Sequence, residues 1–218
     1  MEKSRPYVII SAAISIDGKI ATKTGDSKLS SKQDSIRLHK LRSKVDAILV
    51  GKNTVLVDDP LLTVRHTVGK NPTRIILDSK GILSKKSKIL QTSDKVKTII
   101  VVSKQISKLN LKKLNDFPVE IIIAGKNSIN IKLLLKKLSE KNFKTILVEG
   151  GGIINWEFIK YNIFDELLIT ISPFIIGGNN AVSLVGGEGF KKISESPNLR
   201  LKSTKRLKNH YVLHCAKV

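Results

Sequence analysis

Chemistry in this chain is most legible at Glu149-Gly150-Gly151-Gly152, a carboxylate followed by three glycines. An apolar run, Lys144-Thr-Ile-Leu-Val148, precedes it, and a helix-like segment, Ile153 to Ile159, follows. Consecutive glycines lose more backbone entropy on folding than any other residues. Between a strand and a helix they let a phosphate approach the backbone, with the first helical N–H groups directed at it. Taken alone, the same residues also make an ordinary tight turn. A second stretch, Gly51 to Arg65, contains Thr54 and Asp58, four apart and on one face if a helical turn forms. A hydroxyl and a carboxylate so placed grip ribose hydroxyls or a carboxamide, although Asp58-Asp59-Pro60 equally serves as turn chemistry. Arg42 and Arg65 are arginines in a chain whose cations are mostly lysine. Their planar forks suit bidentate contact with phosphate, the alternatives being a solvent-facing helical residue and a rim ion pair. Asp17-Gly18-Lys19 reads as a hairpin-like turn or as the mouth of a cleft.

Other chemistries lack their residues. His39, His66, His210 and His214 do not have the spacing of a zinc site, so no metal is expected. There is no G-x-S-x-G elbow, and the single Cys215 has no evident activating partner and no second cysteine to pair with. The G-x-G-x-x-G fingerprint after the first strand and the P-loop signature are both missing. With 218 residues and 41% hydrophobic content the chain reads as one globular domain, 1–218. No run approaches the roughly 18 apolar residues of a membrane span. Met1 to Pro6 lead into a strand-like run without a secretory layout, so a cytoplasmic address is expected. Lys and Arg number 39 against 18 acidic residues, a formal +21. The lysines are dispersed and only 5% of residues are aromatic, so a solvated basic surface that attracts small phosphorylated ligands outranks a nucleic-acid-binding role.

These residues need elements to position them. Pro6 to Ser15 reads as a buried strand. Ser31 to Asp34 opens a helix with a capping-box pattern, and Ile36, Leu38, Leu41 and Val45 give it an apolar side. Strands follow at Asp46–Val50, Thr73–Asp78, Thr98–Val102 and Val119–Ala124. Gly51 to Arg65 is loop-rich, and a helix is expected around Ser107 to Asn115. Ile131, Leu134, Leu135 and Leu138 make Ile129–Lys141 an amphipathic helix. This alternation predicts an α/β fold with a mostly parallel sheet flanked by helices. After Asp165 the pattern changes to antiparallel strands at Leu167–Ile171, Phe174–Ile176, Leu199–Leu207 and Tyr211–Ala216. Ligands of open α/β sheets gather at strand carboxyl ends, where Ser15, Gly51, Asp78-Ser79, Gly125 and Glu149-Gly150 all fall.

Five segments occur in a telling order: Ile14-Ser-Ile-Asp-Gly-Lys-Ile-Ala21, Gly51 to Arg65, Ile75-Ile-Leu-Asp-Ser79, Val148-Glu-Gly-Gly-Gly152 and Pro173-x-Ile-x-Gly-Gly178. Together they resemble the pyrimidine reductases of riboflavin biosynthesis, whose fold is like that of dihydrofolate reductase. The resemblance spans nearly the whole chain. It implies NADPH-dependent reduction of the ribosyl group of a pyrimidine ribosylamine 5′-phosphate to a ribityl chain, with NADH as the alternative donor. The H-x-E and P-C-x-x-C segments of the deaminase domain to which bacterial members are fused are not in this sequence. The chain therefore resembles the stand-alone reductase of archaea and fungi, with 2,5-diamino-6-ribosylamino-4(3H)-pyrimidinone 5′-phosphate as the implied substrate. Rival readings are the deaminated 5-amino-6-ribosylaminouracil 5′-phosphate and a dihydrofolate reductase.

The resemblance also assigns residues. Ala13, Thr54, Asp58, Asp78, Ser79, Gly125, Gly150, Gly151, Gly152 and Ile153 match NADPH contacts. Ser27, Arg42, Leu62, Arg65 and Glu149 match substrate contacts, the arginines at the 5′-phosphate. Lys28-Leu29 stands where bacterial members often carry an aromatic residue. In the implied reaction the sugar carbon opens to an imine and a hydride from the nicotinamide reaches C1′, so the main task of the protein is positioning. No proton donor stands out among Glu149, Asp58 and Lys19. A homodimer paired through the later strands is the family expectation, and Leu167 to Ile171 is apolar enough for one.

Overall fold

A computed structural model describes residues 5–218. Met1 to Ser4, part of the segment read for a secretory layout, lie outside the described residues. In chain order the elements are β1 (Tyr7–Ile14), β2 (Lys19–Ala21), α1 (Lys32–Arg42), β3 (Ala47–Gly51), α2 (Lys52–Asp58), β4 (Thr73–Leu77) and α3 (Lys88–Gln91). Then come β5 (Thr98–Val102), α4 (Lys108–Asn115), β6 (Glu120–Ile123), α5 (Ile131–Glu140), β7 (Thr145–Val148), α6 (Gly152–Lys160), β8 (Glu166–Ile171), β9 (Val182–Ser183), β10 (Leu199–Leu207) and β11 (His210–Lys217). The described residues group into two compact units: residues 40–146 with Arg5 and Pro6, and residues 7–39 with 147–218.

In the unit built on residues 40–146, β3, β4, β5 and β6 pair in parallel in that order. Every residue of β3 and β5 is buried, as expected for parallel strands covered on both faces. Helix α5 contributes Ile131, Leu134, Leu135 and Leu138, all buried, and Asn130 caps its first turn by accepting from the Leu133 N–H at 2.9 Å. Ser107 caps α4 in the same way, accepting from Asn110 N at 3.1 Å. Arg74, in the middle of these apolar strands, is fully buried. Its guanidinium makes six hydrogen bonds, to Thr98 Oγ1 twice, Thr92 Oγ1, and the carbonyls of Leu61, Ile89 and Val96. Both threonine hydroxyls are free to accept because their protons go to the Val96 and Lys88 carbonyls. Burial pushes the Arg74 pKa down to about 10, against a weaker opposing pull from Asp94, so the group stays charged at neutral pH.

In the other unit β8 lies parallel to β1, β11 antiparallel to β8, and β10 antiparallel to β11. The antiparallel part of the sheet thus begins one strand later than the change of pattern at Asp165 predicts. β2 and β9 form a small separate ladder.

The local expectations need four corrections. Gly51–Arg65 is not all loop, because residues 52–58 form α2. Phe174–Ile176 is not a strand: Phe174 and Ile175 are exposed and lie in a loop held by the Asp17 carboxylate and by the Ile16 N–H, which donates to the Phe174 carbonyl at 2.8 Å. Ser31 does cap α1, accepting from Asp34 N at 3.2 Å. The Asp34 carboxylate, however, turns inward and accepts from Thr170 Oγ1 at 2.6 Å, Arg37 Nε at 2.8 Å and Ser30 Oγ at 2.9 Å. Finally, the most buried residues of α1 are polar, Asp34, His39 and Arg42, while Ile36, Leu38 and Leu41 are half-buried and Val45 lies beyond the helix. The helix is placed by hydrogen bonds more than by an apolar stripe.

Replacing Arg74 by Met, which keeps the volume and removes every donor, should lower the unfolding free energy by about 3 kcal/mol or more, because buried carbonyls and hydroxyls lose their partners. Urea denaturation measures this, and a loss below about 1 kcal/mol would show that the network carries no such weight.

Candidate active site

In the unit containing residues 147–218, β7 delivers Leu147 and Val148 buried and Glu149 half-buried to the glycine turn. Gly150 has φ +88°, a conformation that L side chains rarely adopt, and the Gly150–Gly151 peptide is cis. Gly151 caps α6 without any side-chain hydrogen bond, so the first N–H groups of a nine-residue helix are not closed off by a capping side chain. A Cβ at Gly152 would run into the Ser183 carbonyl, and the Gly152 carbonyl accepts from Gly186 N at 3.0 Å. Asn155 is fully buried: its Nδ2 donates to the Leu184 carbonyl at 2.8 Å, and its Oδ1 has no partner among the described residues. The backbone of residues 183–186 is thus tied to the glycine turn. This turn, without side chains and carrying helix N-terminal N–H groups, fits a phosphate of a dinucleotide cofactor.

The rest of this unit's expected site residues, Ala13, Lys19, Ser27 and Ile153, are spread over four segments. Ala13 is half-buried near the end of β1, in register with Thr170. Ile153 is 59% exposed on the first turn of α6. Ser27 is exposed in the segment before α1. That segment is clamped two residues on, where the Leu29 carbonyl accepts from Ser172 Oγ at 2.7 Å and lies 3.1 Å from His210 Nε2. Lys19 Nζ donates to Ser183 Oγ at 3.1 Å. Asp17 accepts from the backbone N–H groups of Ile176 at 3.0 Å and Gly177 at 2.7 Å, which fixes the loop that sequence pattern alone reads as a strand. The Ser15 hydroxyl and then these two N–H groups hold the Asp17 carboxyl well below the usual carboxylate range.

In the other unit Thr54 is half-buried within α2 and Asp58 is its exposed last residue, so the helical turn that puts them on one face does form. Asp78 follows β4 and is fully buried; Oδ2 accepts from Leu83 N at 2.9 Å and Oδ1 has no partner among the described residues. The Ser79 carbonyl accepts from both N and Oγ of Ser103 at 3.0 Å. Gly125, at φ +123°, cannot carry a side chain, since a Cβ would collide with the Ser128 carbonyl. Arg42 and Arg65 converge on one residue: Arg42 Nη1 donates to the Thr63 carbonyl at 3.1 Å and Arg65 Nη1 to Thr63 Oγ1 at 3.0 Å. Burial, and next the neighbouring Arg42 charge, push the Arg65 pKa below its usual value. Leu62, between them in sequence, is buried with φ +50°.

Sequence reasoning missed Thr63, Arg74 and Asn155. A polar residue inside the apolar stretch Ile153-Ile-Asn-Trp156 was a usable signal for Asn155, whereas hydrogen bonds to backbone carbonyls leave no pattern to read. Among the described residues no group of three or more His, Cys, Asp or Glu could hold a metal ion, and no helix is long and apolar enough to cross a membrane.

This α/β layout is dihydrofolate-reductase-like. Dihydrofolate reductase from Enterococcus faecalis superimposes with a TM-score of 0.55 at 10% identity, covering 97% of this chain and 96% of that one. Within that class the chain belongs to the RibD C-terminal domain family, which it matches over residues 6–213. It is 41% identical over 204 residues to the 2,5-diamino-6-ribosylamino-4(3H)-pyrimidinone 5′-phosphate reductase of Aquifex aeolicus, covering 91% of each chain. The reductase of the same name from Methanothermobacter thermautotrophicus is 39% identical over 202 residues, covering 91% of this chain and 92% of that one. The Thermotoga maritima diaminohydroxyphosphoribosylaminopyrimidine deaminase/5-amino-6-(5-phosphoribosylamino)uracil reductase superimposes with a TM-score of 0.82 at 28% identity, over 99% of this chain and 58% of that one.

Because the folded-state pKa of Asp17 is depressed, its stabilising effect is present above the ordinary carboxylate pKa and is lost only as pH falls through the lowered value. Amide exchange at Ile176 and Gly177, corrected for intrinsic rates, should therefore stay flat from pH 7 to about pH 4, and should be faster in Asp17→Asn throughout. Equal exchange in the variant would remove Asp17 as the anchor of the loop.

Proposed function

We propose that this chain reduces the ribosyl group of 2,5-diamino-6-ribosylamino-4(3H)-pyrimidinone 5′-phosphate to the ribityl form in riboflavin biosynthesis, using NADPH. The observation that carries the reading is the pair of guanidiniums meeting at Thr63, which suits a 5′-phosphate. Dihydrofolate has no phosphate to place there. The names of the Aquifex and Methanothermobacter relatives point to the same substrate.

Gly150, Gly151, Gly152 and Ile153, with Ala13, would hold one part of the cofactor, and Thr54, Asp58, Asp78, Ser79 and Gly125 another. Ser27, Arg42, Leu62, Arg65 and Glu149 would hold the substrate. When bound, NADPH supplies the hydride. The protein contributes position: the arginines fix the phosphate end of the ribosyl chain, and Glu149 accepts hydrogen bonds from the sugar or ring nitrogens. Lys19 Nζ donates to Ser183 Oγ and keeps two further N–H donors, so Glu149, Asp58 and Lys19 all stay candidates for the group that moves a proton. The two units act as one reductase domain, in a cytoplasmic homodimer.

NADPH consumption measured side by side with the diamino substrate, its deaminated counterpart and dihydrofolate tests the proposal. The diamino compound should give the highest kcat/KM; turnover of dihydrofolate alone would overturn the reading. Glu149→Ala should lower kcat at least tenfold, about 1.4 kcal/mol of transition-state stabilisation, while NADPH affinity changes less. Wild-type turnover in that variant would end the role given to Glu149.

A further inference from the structure

A pair of like charges at one site needs something to hold it, and Thr63 offers two acceptors. Its carbonyl takes a donor from Arg42 and its hydroxyl takes one from Arg65. We propose that Thr63 is a positioning residue that sets the spacing and aim of this arginine pair, and so makes the seat selective for a dianionic phosphate monoester. The proposal rests on the function given above and deepens it by naming what shapes the phosphate end of that site.

The residue type fits the task. Two guanidiniums in proximity repel each other, and the lowered Arg65 pKa carries that repulsion as its second cause after burial. A carboxylate at position 63 would hold the arginines more firmly but would cancel the positive charge that a phosphate needs. A hydroxyl and a carbonyl orient both forks and leave the net charge intact. An aliphatic residue of the same shape would keep the carbonyl contact of Arg42 and remove the hydroxyl contact of Arg65.

The loop carrying Thr63 is itself fixed from several sides. Arg74 Nη1 reaches the Leu61 carbonyl at 3.3 Å, the Val64 N–H donates to Asn71 Oδ1 at 2.8 Å, and Asp59 Oδ1 accepts from Lys88 N at 2.8 Å. Leu62 is 2% exposed in the left-handed region at φ +50°, a conformation that a side chain keeps only when its surroundings demand it. Thr63 therefore presents its two oxygens from a rigid support, and rigid support is what separates a positioned arginine from a mobile one.

The test uses Thr63→Val and Thr63→Ser with ribose 5-phosphate as an unreactive probe and ribose as its control, titrated calorimetrically into the full chain. Wild type should bind ribose 5-phosphate more tightly than ribose. Thr63→Val should weaken ribose 5-phosphate binding about tenfold, equivalent to about 1.4 kcal/mol, and Thr63→Ser should restore it to within about twofold. In turnover, Thr63→Val should raise the KM of the pyrimidine phosphate about tenfold while kcat falls no more than about twofold and NADPH affinity holds. Undiminished ribose 5-phosphate affinity in Thr63→Val, or a Thr63→Ser variant as weak as Thr63→Val, would overturn the role of Thr63. A wild-type protein that binds ribose as well as ribose 5-phosphate would instead remove the phosphate reading on which the proposed function stands.

Discussion

A guanidinium sealed from solvent, with no carboxylate among its hydrogen-bond partners in the described residues, has to find other oxygens for its N–H groups, and that requirement organises half of this molecule. Arg74 meets it with neutral acceptors only, two threonine hydroxyls and three carbonyls. Burying a charge in this way is unfavourable unless every acceptor is in place. The acceptors come from β5, from α3 and the turn after it, and from the loop that holds Leu62 and Thr63, so those segments can occupy only one arrangement. Asp34 plays the matching part in the other unit. Its buried carboxylate gathers Thr170, Ser30 and Arg37, beside a Leu29 carbonyl held by Ser172 and His210.

The sheet imposes the complementary constraint. Strands such as β3 and β5, buried along their whole length, have no place for reactive side chains between their ends. In those two strands polar groups are displaced to the termini, where the backbone must also turn. The glycine turn after β7 shows both effects: it permits the change of direction and leaves the first helical N–H groups without a capping side chain. Gly125 shows the first effect alone, since its own turn already forbids a side chain.

Much of this was readable in advance. The β-branched runs at residues 47–50 and 98–102 are strands because they are buried on both faces, and the 3.6-residue spacing of Ile131, Leu134, Leu135 and Leu138 gives α5. The glycine turn and the two arginines were legible by composition. Phe174–Ile176 misled because an apolar run usually marks burial, whereas here the loop is held through its N–H groups by Asp17. Helix α1 misled because its buried residues are polar. The Arg74 network and the Arg42 contact of Thr63 were invisible because they are hydrogen bonds between residues distant in sequence, and the short Thr63–Arg65 contact was invisible because it joins two side chains of an irregular segment; no periodicity records either.

The proposed reaction turns on hydride delivery to the ribosyl carbon of a phosphorylated pyrimidine. The most direct measurement is mass spectrometry of the product formed with NADPH carrying deuterium at both C4 positions of the nicotinamide. One deuterium at C1′ of a ribityl product, formed from the diamino substrate, is the result expected. A ribityl product without that deuterium, or no ribityl product at all, would contradict it.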